Sequence, residues 1–207
     1  MTTHFYAFGS ICRGEIDRSS DIDLLACVSS PSEDIDPETF SVYRHDRLRQ
    51  LWRHGNPFAW HLHLESRLLF SSDGQDFIAS LGLPSKYVNG PADCAQFARL
   101  FAESRSELLR TLNSATFNLS CMFLATRNFA TCYSLHVGKP CFSRNSPLIV
   151  DVPLAVQKTV FDVLSRARVL STRGLGSTLS PTDISTVLSA APIVSDWMSS
   201  LLSEVRP

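Results

Sequence analysis

Short apolar runs separated by turn residues mark the N-terminal part of the chain. Residues 5–8 form one such run, which ends at Gly9, and residues 21–28 (DIDLLACV) form a second. Both have the length and the flanking residues that are typical of buried strands. Residues 39–43 are predicted to be a third strand, and residues 10–18 have the length of a two-turn helix. The pattern therefore predicts a small sheet with short helical connections.

The next two segments have helical features. Residues 46–53 form a polar helix in this interpretation, with Leu48, Leu51 and Trp52 on its apolar side. Residues 57–70 (PFAWHLHLESRLLF) alternate like a strand at Leu62 and Leu64, yet the initial proline fits a helix nearly as well. We expect a helix followed by a short strand.

The pattern becomes helical near residue 90. The stretch at residues 84–93 (PSKYVNGPAD) is the best linker candidate. Beyond it, apolar residues recur at helical spacing over residues 97–113, 117–135, 152–170 and 183–205, and Ser180-Pro181-Thr182 is a plausible start for the last helix. Four helices with short connections predict a compact bundle. The fold class expected is α+β, with a mixed-sheet domain over residues 1–90 and a helical bundle over residues 91–207.

Composition and charge indicate the size of the domains, the partners and the compartment of the protein. The 207 residues are 44% hydrophobic, which is enough for one large domain or two small ones with real cores. A formal net charge of -1 provides no global field toward nucleic acid or anionic membrane. No run reaches the ~18 apolar residues of a membrane helix, and the first residues lack the basic region of a signal peptide. We therefore expect a cytoplasmic protein without a membrane partner.

Six cysteines are scattered along the chain without a CxxC pair. This spacing indicates neither a zinc site nor a redox pair. Free thiols that pack as small core residues are expected instead.

Candidate chemistry lies in residues 9–25 (GSICRGEIDRSSDIDLL). Alternate residues of a strand share a face, so Asp21 and Asp23 would present two carboxylates side by side while Ile22 and Leu24 face the core. Two such charges repel unless a cation neutralises them, and Mg²⁺, or Mn²⁺ in its place, does so while bridging to phosphates. This pair is the predicted metal site.

The first half of the same stretch has the features of a phosphate cradle. A strand that turns into a helix directs free backbone N–H groups outward, and Gly9 permits close approach of a phosphate. Ser10 would cap the helix or donate its hydroxyl, and Arg13, one turn further on, would reach the same phosphates. A cradle facing a metal pair suits in-line attack on the alpha-phosphate of a nucleotide, with pyrophosphate as the leaving group.

These residues resemble the signature of the DNA polymerase beta-like nucleotidyltransferase superfamily, whose small members carry G-S-x-x-R-G, a variable turn and then S-D-x-D-L. The matching positions are Gly9, Ser10, Arg13, Gly14, Ser20, Asp21 and Asp23. The resemblance implies that Gly9 and Ser10 hold a triphosphate and that Asp21 and Asp23 bind Mg²⁺. It also implies a mixed sheet with helices on one side and a helical second domain, as in kanamycin nucleotidyltransferase-like proteins.

Active members of that superfamily usually carry a third carboxylate on a following strand, where it helps to activate the incoming hydroxyl. The predicted strand at residues 39–43 has none. Three alternatives stay open: Glu65 returns to the site, Asp46 does so, or the third carboxylate is missing. His61 and His63 would share an ion only on a strand with a further ligand, and packing beside Trp60 is the preferred interpretation.

The function expected is Mg²⁺-dependent transfer of a nucleoside monophosphate from a nucleoside triphosphate to a hydroxyl group. The acceptor is a protein side chain, an RNA end or a small molecule, and a protein acceptor in a toxin-antitoxin or defence setting is the first choice. A partner protein or a second copy of the chain is a further expected partner. The alternative is a non-catalytic module that keeps the fold and binds a nucleotide or a partner.

Overall fold

The computed structural model describes residues 2–15, 22–30 and 35–205. The chain divides into two compact units, residues 1–88 and 89–207. The first holds a four-stranded mixed sheet with short helices, and the second is helical. The predicted α+β class, with a small mixed sheet followed by a helical bundle, is confirmed.

Short strands and helices alternate in the first unit. They are β1 (Thr3–Phe8), α1 (Ser10–Arg13), β2 (Asp23–Val28), β3 (Ser41–Arg44), α2 (His45–Arg53), α3 (Pro57–Glu65), β4 (Ser66–Ser71) and α4 (Phe77–Ser80). The sheet order is β3-β2-β1-β4. Strand β1 is antiparallel to both of its neighbours, whereas β2 and β3 are parallel.

The helix-then-strand prediction for residues 57–70 is confirmed by α3 and β4. Asn56 caps α3, because its side chain accepts a hydrogen bond from the Phe58 N–H, and Pro57 occupies the first turn, where its missing N–H costs nothing. The helix predicted at residues 10–18 already ends at Arg13, since Gly14 takes a left-handed conformation with φ 73°. Residues 16–18 of that prediction lie outside the described residues.

One face of the sheet packs on α2, α3 and α4. Strand β1 contributes Tyr6 and Phe8 to this core, and β2 contributes Leu25 and Cys27. The helices cover them with buried side chains: Leu48, Leu51, Trp52, Ala59, Leu62, Phe77 and Ile78. The core of the first unit therefore lies between the sheet and these helices.

The orientation predicted for β2 is wrong. Ile22 and Leu24 were expected to face the core, yet Ile22 is 58% exposed and the core residues are Leu25 and Cys27. Asp23 shares their face, because side chains alternate along a strand. It remains exposed since it begins the strand, beyond the helices that cover its neighbours.

The second unit consists of α5 (Gly90–Arg110), α6 (Ala115–His136), α7 (Ser146–Ile149), α8 (Lys158–Arg173) and α9 (Pro181–Val205). Helix α6 is its centre and packs against the other four helices. Its buried side chains occur on most of its surface, in contrast to a helix with a single apolar stripe. The predicted bundle is therefore organised around one central helix.

Two helix starts in this unit have identifiable causes. The predicted start at residue 152 is wrong, because Val152 precedes Pro153, a position that disfavours helical dihedrals, and α8 begins at Lys158. The predicted start of α9 is confirmed. Ser180 Oγ accepts from the Asp183 N–H at 3.1 Å while the Asp183 carboxylate accepts from the Ser180 N–H at 2.8 Å, which is a reciprocal cap.

The six cysteines form no disulfide bonds. All six cysteines are free thiols, and Cys27, Cys94 and Cys132 are buried. Burial raises the pKa of Cys27 to about 12, as expected for an inert core thiol. Across the described ranges, no helix combines the length and the apolar character needed to cross a membrane.

Candidate functional site

The strand register brings three of the predicted site residues to one end of the sheet. Phe8, the last residue of β1, pairs with Asp23 on one side and with Ser66 on the other. Gly9 follows Phe8 directly, and Glu65 directly precedes Ser66. Asp23, Gly9 and Glu65 therefore flank the same strand end, although Glu65 is far from the other two in the sequence.

Gly9 lies against the Asp23 carboxylate. Its backbone has φ 76° and ψ -141°, a region that residues with a side chain rarely adopt. A Cβ atom at this position would lie 2.6 Å from Asp23 Oδ2, far inside van der Waals contact. Glycine is therefore required twice here, by the backbone conformation and by the carboxylate beside it.

Hydrogen bonds close the turn between β1 and α1. The Cys12 N–H donates to the Gly9 carbonyl at 3.1 Å, and the Glu15 N–H donates to the Ser10 carbonyl at 3.0 Å. Ser10 is the first residue of α1 and is partly exposed. A polar hydroxyl thus stands at the start of a fixed turn, directly after the glycine that lies against the Asp23 carboxylate.

Arg13, Glu65 and His61 form a cluster at the same end of the sheet. The Arg13 Nη1 donates to Glu65 Oε2, and Arg13 Nε lies 3.0 Å from Glu15 Oε2. His61 Nε2 lies 2.9 Å from the same oxygen of Glu65. The side chains of Arg13 and Glu65 are only 18% and 14% exposed, so water screens this pair weakly.

Glu65 keeps its charge in this cluster. Burial by itself would raise the pKa of its carboxyl, but the hydrogen bond and charge of His61 and the charge of Arg13 outweigh it. The net effect holds the pKa of Glu65 below its ordinary value. The carboxylate is therefore an anion that two neighbouring side chains already engage.

Asp46 lies at the opposite end of the strands. Strand β3 runs parallel to β2, from Ser41 beside Leu25 to Arg44 beside Val28, and so leads away from Asp23. Asp46 follows in the first turn of α2, with its side chain 78% exposed and its carboxylate 3.2 Å from Arg49. The structure does not bring it together with Asp23.

His61 and His63 do not share a face. They lie in α3, where residues two apart point in nearly opposite directions, and not in a strand. His63 packs edge-on against Trp60 at 6.2 Å, and His61 packs edge-on against Phe8 at 5.7 Å. Packing beside Trp60 is thus confirmed for His63, whereas His61 packs elsewhere.

The sequence contains little signal for the cluster of Arg13, His61 and Glu65. His61 and Glu65 are four residues apart, the spacing of neighbours on a helix, and an assignment of helix through Glu65 would have found that contact. Arg13 is 52 residues from Glu65 in the chain, and only the pairing of β1 with β4 joins them.

The oxygen donors at the turn suit a hard divalent cation. Asp23 supplies a carboxylate and Ser10 a hydroxyl, which are ligand types that Mg²⁺ prefers. The missing Cβ of Gly9 leaves room for the carboxylate against the backbone. Asp21 lies outside the described residues, and within the described ones no group of three or more His, Cys, Asp or Glu side chains is arranged around a metal position.

No protein-family model matches this chain, and no curated protein matches it.

Proposed function

We propose that the chain is a Mg²⁺-dependent nucleotidyltransferase of the DNA polymerase beta-like kind, which transfers a nucleoside monophosphate from a nucleoside triphosphate to a hydroxyl group. The observation that carries the proposal is the contact between Gly9 and Asp23. A glycine in a conformation closed to other residues lies beside a carboxylate at a strand end. That combination is what a backbone phosphate site next to a metal ligand requires.

Each residue of the proposed site has its own role in binding the nucleotide and the metal ion. Gly9 brings the backbone of the turn against the Asp23 carboxylate, so a phosphate bound at the turn would lie beside the metal ligand, and Ser10 would offer its hydroxyl to the same phosphate. Asp23, together with Asp21, would hold Mg²⁺. When bound, Mg²⁺ neutralises the phosphate oxygens and polarises the alpha-phosphoryl group. Arg13, one turn further on, would add guanidinium N–H donors from which phosphate oxygens accept hydrogen bonds.

The acceptor hydroxyl belongs to a protein side chain, an RNA end or a small molecule. A protein acceptor in a toxin-antitoxin or defence setting remains the first choice, with a partner protein or a second copy of the chain as a further partner. The near-zero formal net charge of -1 supports this order, since it offers no general attraction to a nucleic-acid acceptor. We place the protein in the cytoplasm.

A second candidate is a non-catalytic module that binds a nucleotide without transferring it. Two observations favour it. Arg13 and His61 engage the Glu65 carboxylate, and β3 carries no carboxylate in its four residues (SVYR). An enzyme of this kind would then have to activate the acceptor hydroxyl without a third carboxylate.

The deciding experiment is incorporation of alpha-labelled ATP, GTP, CTP or UTP, with Mg²⁺ or Mn²⁺, into the protein itself and into fractions of a cell lysate. The Asp21→Ala/Asp23→Ala variant is the test, and Asp46→Ala is the matched control, because it removes an exposed carboxylate at the other end of the strands. We expect label with wild type and with Asp46→Ala, and none with the double variant.

The labelled fraction identifies the acceptor class. Nucleotide binding by calorimetry without any labelled product would favour the module. Absence of both binding and labelling would exclude both functions.

A further inference from the structure

We propose that Glu65 is a positioning residue that holds Arg13 at the triphosphate, and that it acts neither as a metal ligand nor as the base for the acceptor hydroxyl. The inference rests on the proposed function and names how that site is built. It departs from the role that the resemblance would give to a third carboxylate.

The backbone fixes Glu65 from both sides. It is the last residue of α3, and Ser66, the next residue, begins β4 and pairs with Phe8. The Ser66 N–H also donates to the Leu62 carbonyl. Because α3 ends and β4 begins at this peptide, the backbone position from which the Glu65 side chain extends is well defined.

Two partners then fix the carboxylate itself. Arg13 and His61 both contact Oε2, and His61 packs edge-on against Phe8 at 5.7 Å. A metal ion at Oε2 would compete with these two partners for the same oxygen. A general base works best with a pKa near the working pH, whereas the ion pair with Arg13 helps to hold the pKa of Glu65 below its ordinary value. The contacts therefore suit an anchor better than a reactive group.

The anchored residue is Arg13. Its Nη1 donates to Glu65 and its Nε lies 3.0 Å from Glu15, so the planar guanidinium is held in one orientation. Because two sides of the planar guanidinium are held, the direction of its remaining N–H donors is fixed as well. Arg13 follows Gly9 and Ser10 by one turn of α1. A phosphate that reaches these donors would therefore lose less entropy on binding than it would with a freely rotating side chain.

Direct binding measurements distinguish the three roles of Glu65. We would measure Mn²⁺ affinity by electron paramagnetic resonance and the affinity for a non-hydrolysable nucleoside triphosphate by calorimetry. The variants are Arg13→Ala, Glu65→Ala, Glu65→Gln, the double variant Arg13→Ala/Glu65→Ala, and Asp23→Asn as the metal-ligand reference. Glu15→Gln is the matched control, since Glu15 pairs with the same arginine but is more exposed.

A positioning role predicts a specific pattern. Arg13→Ala and Glu65→Ala each weaken triphosphate binding roughly tenfold, the scale of one charge-assisted hydrogen bond, and the double variant is no weaker than either. Glu65→Gln still accepts from Arg13 and stays within about threefold of wild type, as does Glu15→Gln. Mn²⁺ affinity falls with Asp23→Asn and is unchanged by either Glu65 variant. In transfer assays, any loss in Glu65→Gln appears in KM and follows the loss of triphosphate affinity.

Three results would overturn the proposal. A loss of Mn²⁺ affinity in Glu65→Gln would make Glu65 a metal ligand, and a large loss of kcat with unchanged KM would make it the base. Additive losses in the double variant would show that Glu65 does not act through Arg13. If Glu65→Ala unfolds, as judged by its circular dichroism, Glu65→Gln decides alone. If the wild-type protein binds no nucleotide, the proposed function is excluded, and this inference, which rests on that function, is excluded with it.

Discussion

Gly9→Ala tests the contact on which the proposed site depends. An alanine there must adopt φ near 76°, which costs a residue with a side chain about 1–3 kcal/mol. Its Cβ would also lie 2.6 Å from Asp23 Oδ2, so the carboxylate has to move by roughly 0.8 Å to reach the ordinary contact distance of 3.4 Å. We expect a loss of about 2–3 kcal/mol in the free energy of unfolding of the first unit.

Gly14→Ala is the matched control. Gly14 has nearly the same φ, 73°, with ψ 14° in the ordinary left-handed region, and a Cβ there would meet nothing within 4 Å, so this variant controls for the positive φ alone. It should cost only about 1 kcal/mol, the price of a left-handed residue. Combining Gly9→Ala with Asp23→Ala removes the contact, and we expect the glycine substitution to cost about 1 kcal/mol less in that background.

Urea unfolding followed by tryptophan fluorescence measures these differences. Trp52 and Trp60 lie in the first unit and Trp197 in the second, so a Trp197→Phe background restricts the signal to the first unit. Equal losses for the two glycine variants, or no rescue by Asp23→Ala, would refute the claim that Gly9 is required by its carboxylate neighbour.

Three further changes probe the first unit. The Tyr6 hydroxyl donates to Asp76 at 2.9 Å and accepts from the Ile78 N–H at 3.0 Å, so Tyr6→Phe leaves a buried donor unpaired and should cost about 1–3 kcal/mol in urea unfolding. Leu62→Ala empties a fully buried position of the sheet–helix core, and a loss of about 2–5 kcal/mol is expected in the same assay. Burial lowers the pKa of His45 in the folded chain. In the unfolded chain His45 binds a proton near pH 6.5, whereas in the folded chain it stays neutral to a lower pH. The free energy of unfolding should therefore fall as the pH drops below about 6.5. His45→Gln should reduce the difference in urea midpoint between pH 7.5 and 5.5, and an unchanged difference would rule out His45 as its source.

The sequence by itself determined most of the elements. Local signals decide where helices begin, because a cap needs only neighbouring residues: Asn56 before Pro57, and Ser180 with Asp183. The glycine that ends α1 is an equally local signal, although the prediction of a helix to residue 18 overlooked it. Short apolar runs bounded by turn residues likewise identified β1 and β2, and the change to helical spacing near residue 90 predicted a sheet part followed by a helical part.

Only the tertiary structure decided which face of β2 is the core face and which side chains meet at its end. Residues 25–28 are all buried, so alternation gives no preference for one face, and packing against α2 to α4 selects the face of Leu25 and Cys27. Asp23 therefore lies on the core side and escapes burial by its position at the strand end. The contact of Glu65 with Arg13 depends on β4 pairing beside β1, and such a long-range pairing leaves no periodic trace in the sequence.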